Sequence, residues 1–190
     1  AQCGGGDPYQ HLAQKLLFEV VFCHGDLLGG NILYSESTTN LRFIDYEYSS
    51  HGFVGLDIAN HFAAVPESCL VTEGVFDVDK YFPSPAQQKA FLIAYFSEDR
   101  LLEALRVLQL DDIDRLLDAF VRNLSPFVMV AEIRWVLWAV VQAGYSPVDF
   151  DYLDYANMRF YKGYHAYKER MQLLQYEPPE THNEDNRAQL

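Results

Sequence analysis

The stretch CHGDLLGGNILY, residues 23–34, constrains this chain more than any other. It sets His24, Asp26 and Asn31 within eight residues of one another. An apolar, β-branched run from Glu19 to Cys23 leads into it and reads as a buried strand. Two further strand-like runs follow, Asn31 to Tyr34 and Leu41 to Asp45, and the polar linker SESTTN between them suits a hairpin of more than minimal length. A loop fixed between strand ends can bring side chains from both of its margins to one place, because strand ends are rigid and close together.

Around this element the punctuation is helical. Leu12, Leu16 and Leu17 give Tyr9 to Phe18 the spacing of a short helix. Leu56 to Val65 carries a mixed apolar face, whereas PESCLVTEGVFDVDKYFPSP is rich in turn formers and reads as an irregular, functional loop. Ser84, Pro85 and Gln87 form a capping signature that opens a helix to about Phe96. Asp99 to Leu108 and Asp112 to Asn123 are amphipathic, Ser125 and Pro126 start a strongly apolar helix through about Ala143, and Ser146 with Pro147 precede a last one over Phe150 to Leu174. The predicted fold class is α+β and mostly helical: a small β hairpin at the loop, then a body of about five to seven helices. Residues 1–17 read as a flexible lead-in and short helix, 18–175 as one lobe, and 176–190, with two prolines and mixed charge, as a disordered tail.

With 190 residues the chain has the size of one domain. Its net charge of -13 and lack of clustered Lys and Arg argue against nucleic-acid binding; that charge either draws in a cationic partner or is a solvated acidic surface. Cys3, Cys23 and Cys69 form no CxxC pair, which points to neither a disulfide framework nor a zinc site and fits a reducing compartment. No uninterrupted apolar run reaches the roughly 18 to 20 residues of a membrane span. AQCGGGDPY lacks the basic and apolar regions of a signal peptide.

Taken singly, Asp26 and Asn31 read as turn formers and His24 as a hydrogen-bonded buried histidine. As a set, HxDxxxxN followed by a strand ending in IDxE matches the needs of phosphoryl transfer. One carboxylate, Asp26, is available to orient a hydroxyl and accept its proton. Asn31 and Asp45 offer oxygens to magnesium at the adjoining loop mouth.

HGDLLGGNILY with LRFIDYEYSSHGFVGLDIANHF, and later RWVLWAVVQAGYSPVDFDYLDYANMRF, resembles the choline and ethanolamine kinase family, a branch of the protein-kinase-like phosphotransferases. The resemblance runs from about Phe18 to about Arg170. It implies a protein-kinase-like carboxy-terminal lobe that phosphorylates ethanolamine or choline with ATP and Mg2+, for phospholipid headgroup synthesis. In that reading Asp26 is the catalytic base, His24 braces the loop, Asn31 and Asp45 hold magnesium, and Glu47 is a metal-adjacent carboxylate. Asp57 braces the catalytic loop through backbone hydrogen bonds, although it also reads as a helix N-cap. Trp135 and Trp138 share a helix face with Gln142 one turn on, and helical spacing alone reads them as core packing. The resemblance instead places them, with Tyr48 and Tyr155, in an aromatic cage for the ammonium. It further implies a cytoplasmic homodimer.

The sequence departs from the family at three places. Gly25 stands where asparagine is common, and HGD is the form familiar from aminoglycoside phosphotransferases, another small-molecule kinase reading. Ala64 stands where a glutamate is expected to help bind the ammonium, which implies a weaker cation site or a catalytically silent interaction module. Upstream of the loop no Gly-rich strand turn, strand lysine or helix glutamate is recognisable, so the sequence as written is expected to lack the nucleotide lobe and to turn over little by itself.

Overall fold

The computed structural model describes residues 6–169. The expectations for Cys3, for the earliest lead-in residues and for the tail lie outside them.

Helix α1, Pro8–Leu17, opens with Asp7 accepting from the Tyr9 N–H at 3.1 Å and with proline in its first turn. Its stripe Tyr9, Leu12, Ala13, Leu16 and Leu17 is buried. Strand β1, Val20–Cys23, leaves that core and enters the loop. A single 3-10 turn, Gly29–Asn31, then leads into β2, Ile32–Ser35, which pairs antiparallel with β3, Asn40–Phe43. The chain returns through residues 44–49 to β4, Ser50–Phe53, antiparallel to β1 with Val20 opposite Phe53 and Cys23 opposite Ser50. Both ends of the 24–31 loop and both ends of the 44–49 segment are thus strand ends, which lays the two segments side by side.

The strands differ from expectation in one respect. The run expected to be a buried strand is half open: Val20 is 62% and Phe22 61% exposed, because a two-stranded sheet covered on one face leaves alternate side chains outside. β4 begins at the second serine of SS and contains glycine, and its sequence gives no alternating signal.

Helix α2, Val54–Glu73, runs eight residues past the expected end and absorbs the first part of the segment read as irregular. Pro66 lacks the N–H for one intrahelical bond, to Phe62, yet the helix continues because its other face packs on α6. After it come α3, Val78–Tyr81, α4, Pro85–Phe96, with the full Ser84–Gln87 capping box, and α5, Glu98–Val107.

Helix α6, Ile113–Tyr145, replaces the two helices expected on either side of Ser125–Pro126. Proline again deletes a single bond, while the buried series Leu116, Leu117, Phe120, Leu124, Val128, Ala131 and Trp135 runs unbroken through it against α1 and α2. As one helix, α6 is long and apolar enough by composition to cross a membrane, but it lies along the core of this lobe and carries Glu132 and Arg134 into internal bonds. The final segment is α7, Tyr152–Met158, then a π-helical stretch, Arg159–Tyr164, before helix resumes to residue 169. The wider π turn departs from the single regular helix expected there.

Candidate active site

At the end of β1 the chain is fixed by groups from distant parts of the sequence. The Asp57 carboxylate, in the first turn of α2, accepts the N–H of His24 at 3.1 Å and of Gly25 at 2.9 Å. The helix amino terminus favours a negative charge at that position. The Gly25 carbonyl in turn accepts from Arg134 Nη1 at 2.8 Å and from Asn60 Nδ2 at 3.3 Å. Gly25 itself has φ +78°, and a Cβ there would lie 2.5 Å from the Tyr48 carbonyl oxygen, so the position needs glycine for both conformation and space.

His24 is buried. Its Nδ1 accepts from the Asp26 N–H at 3.3 Å, which fixes the proton on Nε2, and Nε2 donates to the Ile44 carbonyl at 2.9 Å. Ile44 N–H donates to Asn31 O at 3.0 Å, and Ser49 Oγ donates to His24 O at 3.2 Å. The imidazole therefore laces the two segments together, with neither nitrogen left for proton transfer.

Asn31 Nδ2 donates to the Asp26 carbonyl at 2.8 Å and to its carboxylate at 3.2 Å. Burial and then the charge of Glu67 push the Asp26 carboxyl above its ordinary range, with a smaller push from Asp45, while His24 and the Asn31 amide pull it back. A raised pKa makes Asp26 a better proton acceptor for a hydroxyl. With its amide nitrogen engaged, Asn31 keeps an oxygen for a cation. Asp45 is exposed in the left-handed region, φ +66°, at the head of the neighbouring segment. An amide oxygen and a carboxylate form a hard donor set that suits Mg2+. Among the described residues no group of three or more His, Cys, Asp or Glu converges, so an ion would complete its shell with phosphate and water, as Mg2+ commonly does.

Beside Asp26 opens a cleft of about 350 Å³. Its lining brings together the carboxyl groups Asp26, Glu47 and Glu67 and the rings Tyr48, Trp135, Trp138, Phe150, Tyr152 and Tyr155, with Tyr155 Oη donating to Glu67 at 2.8 Å. The indole N–H groups are both engaged, Trp135 to Asn60 Oδ1 at 2.6 Å and Trp138 to Tyr48 Oη at 2.9 Å. That fixes the rings edge to face, 5.4 Å apart, and leaves π surface for a cation.

Below the cleft the side chain of Arg159 is completely buried. It donates to both oxygens of the equally buried Glu132 at 3.1 Å, to the Ala63 carbonyl, to Tyr155 Oη and to Glu67. Burial pushes the Glu132 carboxyl up to about 7; Arg159 opposes that push and Glu67 adds to it. A Cβ on Gly163 would come within 2.6 Å of Glu132 Oε2, so the π turn and its glycine make room for this carboxylate.

The structure therefore brings Asp26, Asn31 and His24 into one bonded cluster and sets Asp45 near enough to bias Asp26 electrostatically. Glu47, Tyr48, Trp135, Trp138 and Tyr155 line the adjoining cleft, and Asp57 makes two backbone bonds under the loop. Gln142 is the exception: it does not line the cleft, because it lies a further turn along α6, where its carbonyl accepts from Ser146 N–H near the helix end. Sequence reasoning missed Asn60, Glu67, Glu132, Arg134 and Arg159. Glu132 and Arg134 had a visible signal as charges inside the apolar run AEIRWVLW, and Glu67 lies three residues after Ala64, on the same face of α2.

The family model described as choline/ethanolamine kinase matches residues 7–164. An ethanolamine kinase of Drosophila melanogaster is 37% identical over 80% of this chain and 27% of its own length, and ethanolamine kinase 1 of Homo sapiens is 36% identical over 74% and 29%. A probable choline kinase 2 of Arabidopsis thaliana is 31% identical over 79% of this chain and 41% of its own. Among solved structures, choline kinase from Cryptosporidium parvum superposes with a TM-score of 0.64 at 29% identity, over 85% of this chain and 43% of that one. Plasmodium vivax ethanolamine kinase gives 0.59 at 29% identity, over 80% and 36%. The chain spans less than half the length of these relatives. With the loop, the strand pairs and the helical lobe all matched, this chain belongs to the choline/ethanolamine kinase family.

Proposed function

We propose that the protein phosphorylates the hydroxyl group of ethanolamine or choline with ATP, and that this chain supplies the catalytic loop and the acceptor cleft. The observation that carries this reading is the position of the Asp26 carboxylate. It is held by Asn31 and raised in pKa, and it lines a cleft built of carboxylates and aromatic rings.

In this reading the ammonium lies among Tyr48, Trp135, Trp138 and Tyr155, which directs the hydroxyl toward Asp26. As the hydroxyl oxygen forms its bond to the γ-phosphorus, its proton passes to Asp26 and the bond to the ADP oxygen breaks. Asn31 and Asp45 would hold Mg2+, with Glu47 adjacent, and the ion would supply neutralisation of the phosphate charge. His24 and Asp57 keep the loop rigid. The location in the cytoplasm, the headgroup-synthesis role and dimerisation belong to the same proposal.

Phosphoryl transfer also needs groups that cover the nucleotide, and the described residues show no Gly-rich strand turn or paired strand lysine. The chain alone is therefore expected to turn over far below the roughly 1 to 100 per second of kinases. The test is ATP-dependent phosphorylation of both alcohols by the longer protein containing this sequence. Loss of about 10²- to 10⁴-fold in kcat on Asp26→Asn is expected, the usual contribution of a general base. Full activity in that variant, or no phosphorylation of either alcohol by the parent protein, overturns the proposal.

A further inference from the structure

The cleft holds one carboxylate whose part in the phosphoryl-transfer chemistry is only its charge, which helps raise the Asp26 carboxyl. Glu67, directly after Pro66 in α2, has 23% of its side chain exposed and lines the cleft. Its Oε1 accepts from Tyr155 Oη at 2.8 Å, and its Oε2 is paired with Arg159.

A carboxylate tied to an arginine is ordinarily neutralised, but here one guanidinium is shared by two carboxylates. Arg159 gives both Nη1 contacts to Glu132, whose side chain is fully buried, and Nη2 to Glu67. Glu132 has no route to solvent, and Glu67 is the member of the trio that opens on the cleft. Arg159 and Tyr155 also fix the carboxylate in place. Each of its oxygens has lone-pair capacity beyond these bonds.

The geometry points to Glu67 as the group that accepts an N–H hydrogen bond from the substrate's ammonium, and so as the residue that favours a primary ammonium over a quaternary one. This inference rests on the amino-alcohol reading above. The physical asymmetry is plain. A trimethylammonium head has no N–H and is satisfied by aromatic faces alone, whereas a primary ammonium loses three hydrogen bonds to water and needs an acceptor in the cleft. A carboxylate fixed beside the aromatic rings and open on the cleft supplies that acceptor.

The two tryptophans of the chain, Trp135 and Trp138, both line the cleft, so intrinsic fluorescence reports occupancy without any need for turnover. Ethanolamine, its N-methyl and N,N-dimethyl derivatives and choline are titrated into the 190-residue chain and into Glu67→Gln. The wild type is expected to bind ethanolamine about 10-fold or more tighter than choline, with affinity falling as methyl groups replace N–H, in line with one charge-assisted hydrogen bond. Glu67→Gln is expected to lose that preference, weakening ethanolamine about 10-fold and choline about 3-fold or less. The variant leaves Arg159 and Glu132 as a balanced pair, so its fold is retained, and thermal melting checks this. Should it not fold, Glu67→Asp carries the test: it keeps the charge but withdraws the oxygens by one methylene, and must shrink the preference for ethanolamine. Equal weakening of all four alcohols, or no change, overturns the role of Glu67 while leaving the amino-alcohol reading intact. A wild-type response to none of them overturns both.

Discussion

Asp57 accepts the backbone N–H of Gly25 at 2.9 Å across 32 residues of sequence, and through its other oxygen it holds the next residue back, His24. The loop bearing Asp26 is therefore positioned from its main chain, and its side chains are left to the chemistry. Asp57→Ala leaves two donors without their charged acceptor and is expected to cost about 2 kcal/mol of stability. Urea unfolding measures it. Asp57→Asn is expected to fall between the two, since the amide offers one oxygen where the carboxylate offers two. An Asp57→Ala chain as stable as the parent would show that the loop is held without these two bonds.

Gly25 is the second point of control over this loop. Its φ of +78° and the 2.5 Å approach of a Cβ to Tyr48 O make any side chain intrusive there. Gly25→Ala is expected to destabilise the chain by more than about 1 kcal/mol. In the longer protein it is also expected to lower kcat more than it raises KM, because it displaces Asp26 from the hydroxyl. Paired denaturation and steady-state measurements separate the two effects.

A third expectation concerns pH. The Glu132 carboxyl is held up to about 7 in the fold, against an ordinary value of 4.5. Between those two values the folded chain keeps a proton that the unfolded chain has released. The stability this confers is fully present below about 4.5 and is lost as pH rises through about 7. Glu132→Gln removes the titration and leaves Arg159 balanced by Glu67. The difference in unfolding free energy between wild type and variant is expected to move in favour of the variant from pH 5 to pH 8. A difference that stays flat over this range contradicts the burial of an ionisable Glu132.

Much of this organisation is legible in the sequence wherever its cause is local. HxDxxxxN with IDxE marks the two segments that lie together, the Ser84–Gln87 box sets the start of α4, and the leucines of α1 show its buried face. Causes that are remote are not legible. Pro126 and Pro66 read as breaks because a window of a few residues shows the missing N–H but not the continuous face packed on neighbouring helices. Asn60, Arg134 and Arg159 are ordinary polar residues until the fold brings them to Gly25 and Glu132, across 35, 109 and 27 residues. Ala64 pointed to a lost carboxylate because the sequence was aligned by position. The helix face shows a carboxylate in the cleft one turn further on, at Glu67.

The tryptophans give a fourth expectation, in which two adjacent rings separate by role. Trp135 is 7% exposed, donates to Asn60 at 2.6 Å, and through Asn60 reaches the Gly25 carbonyl. Trp138 stands further out, donates to Tyr48 Oη and meets the rings of Tyr152 and Tyr155 at 5.7 and 6.2 Å. Trp135→Phe therefore deletes a buried hydrogen bond that leads to the loop bearing Asp26, and is expected to lower stability by about 1 to 2 kcal/mol and to lower kcat. Trp138→Ala opens one wall of the cleft and is expected to raise KM for the amino alcohol about 10-fold with a smaller change in kcat, as removal of ground-state cation binding does. Trp138→Phe keeps a ring face and loses the bond to Tyr48, so its KM should lie between wild type and the alanine variant. If Trp138→Ala instead lowered kcat and left KM alone, the outer ring would belong to the loop's scaffold and the cation would have to sit elsewhere.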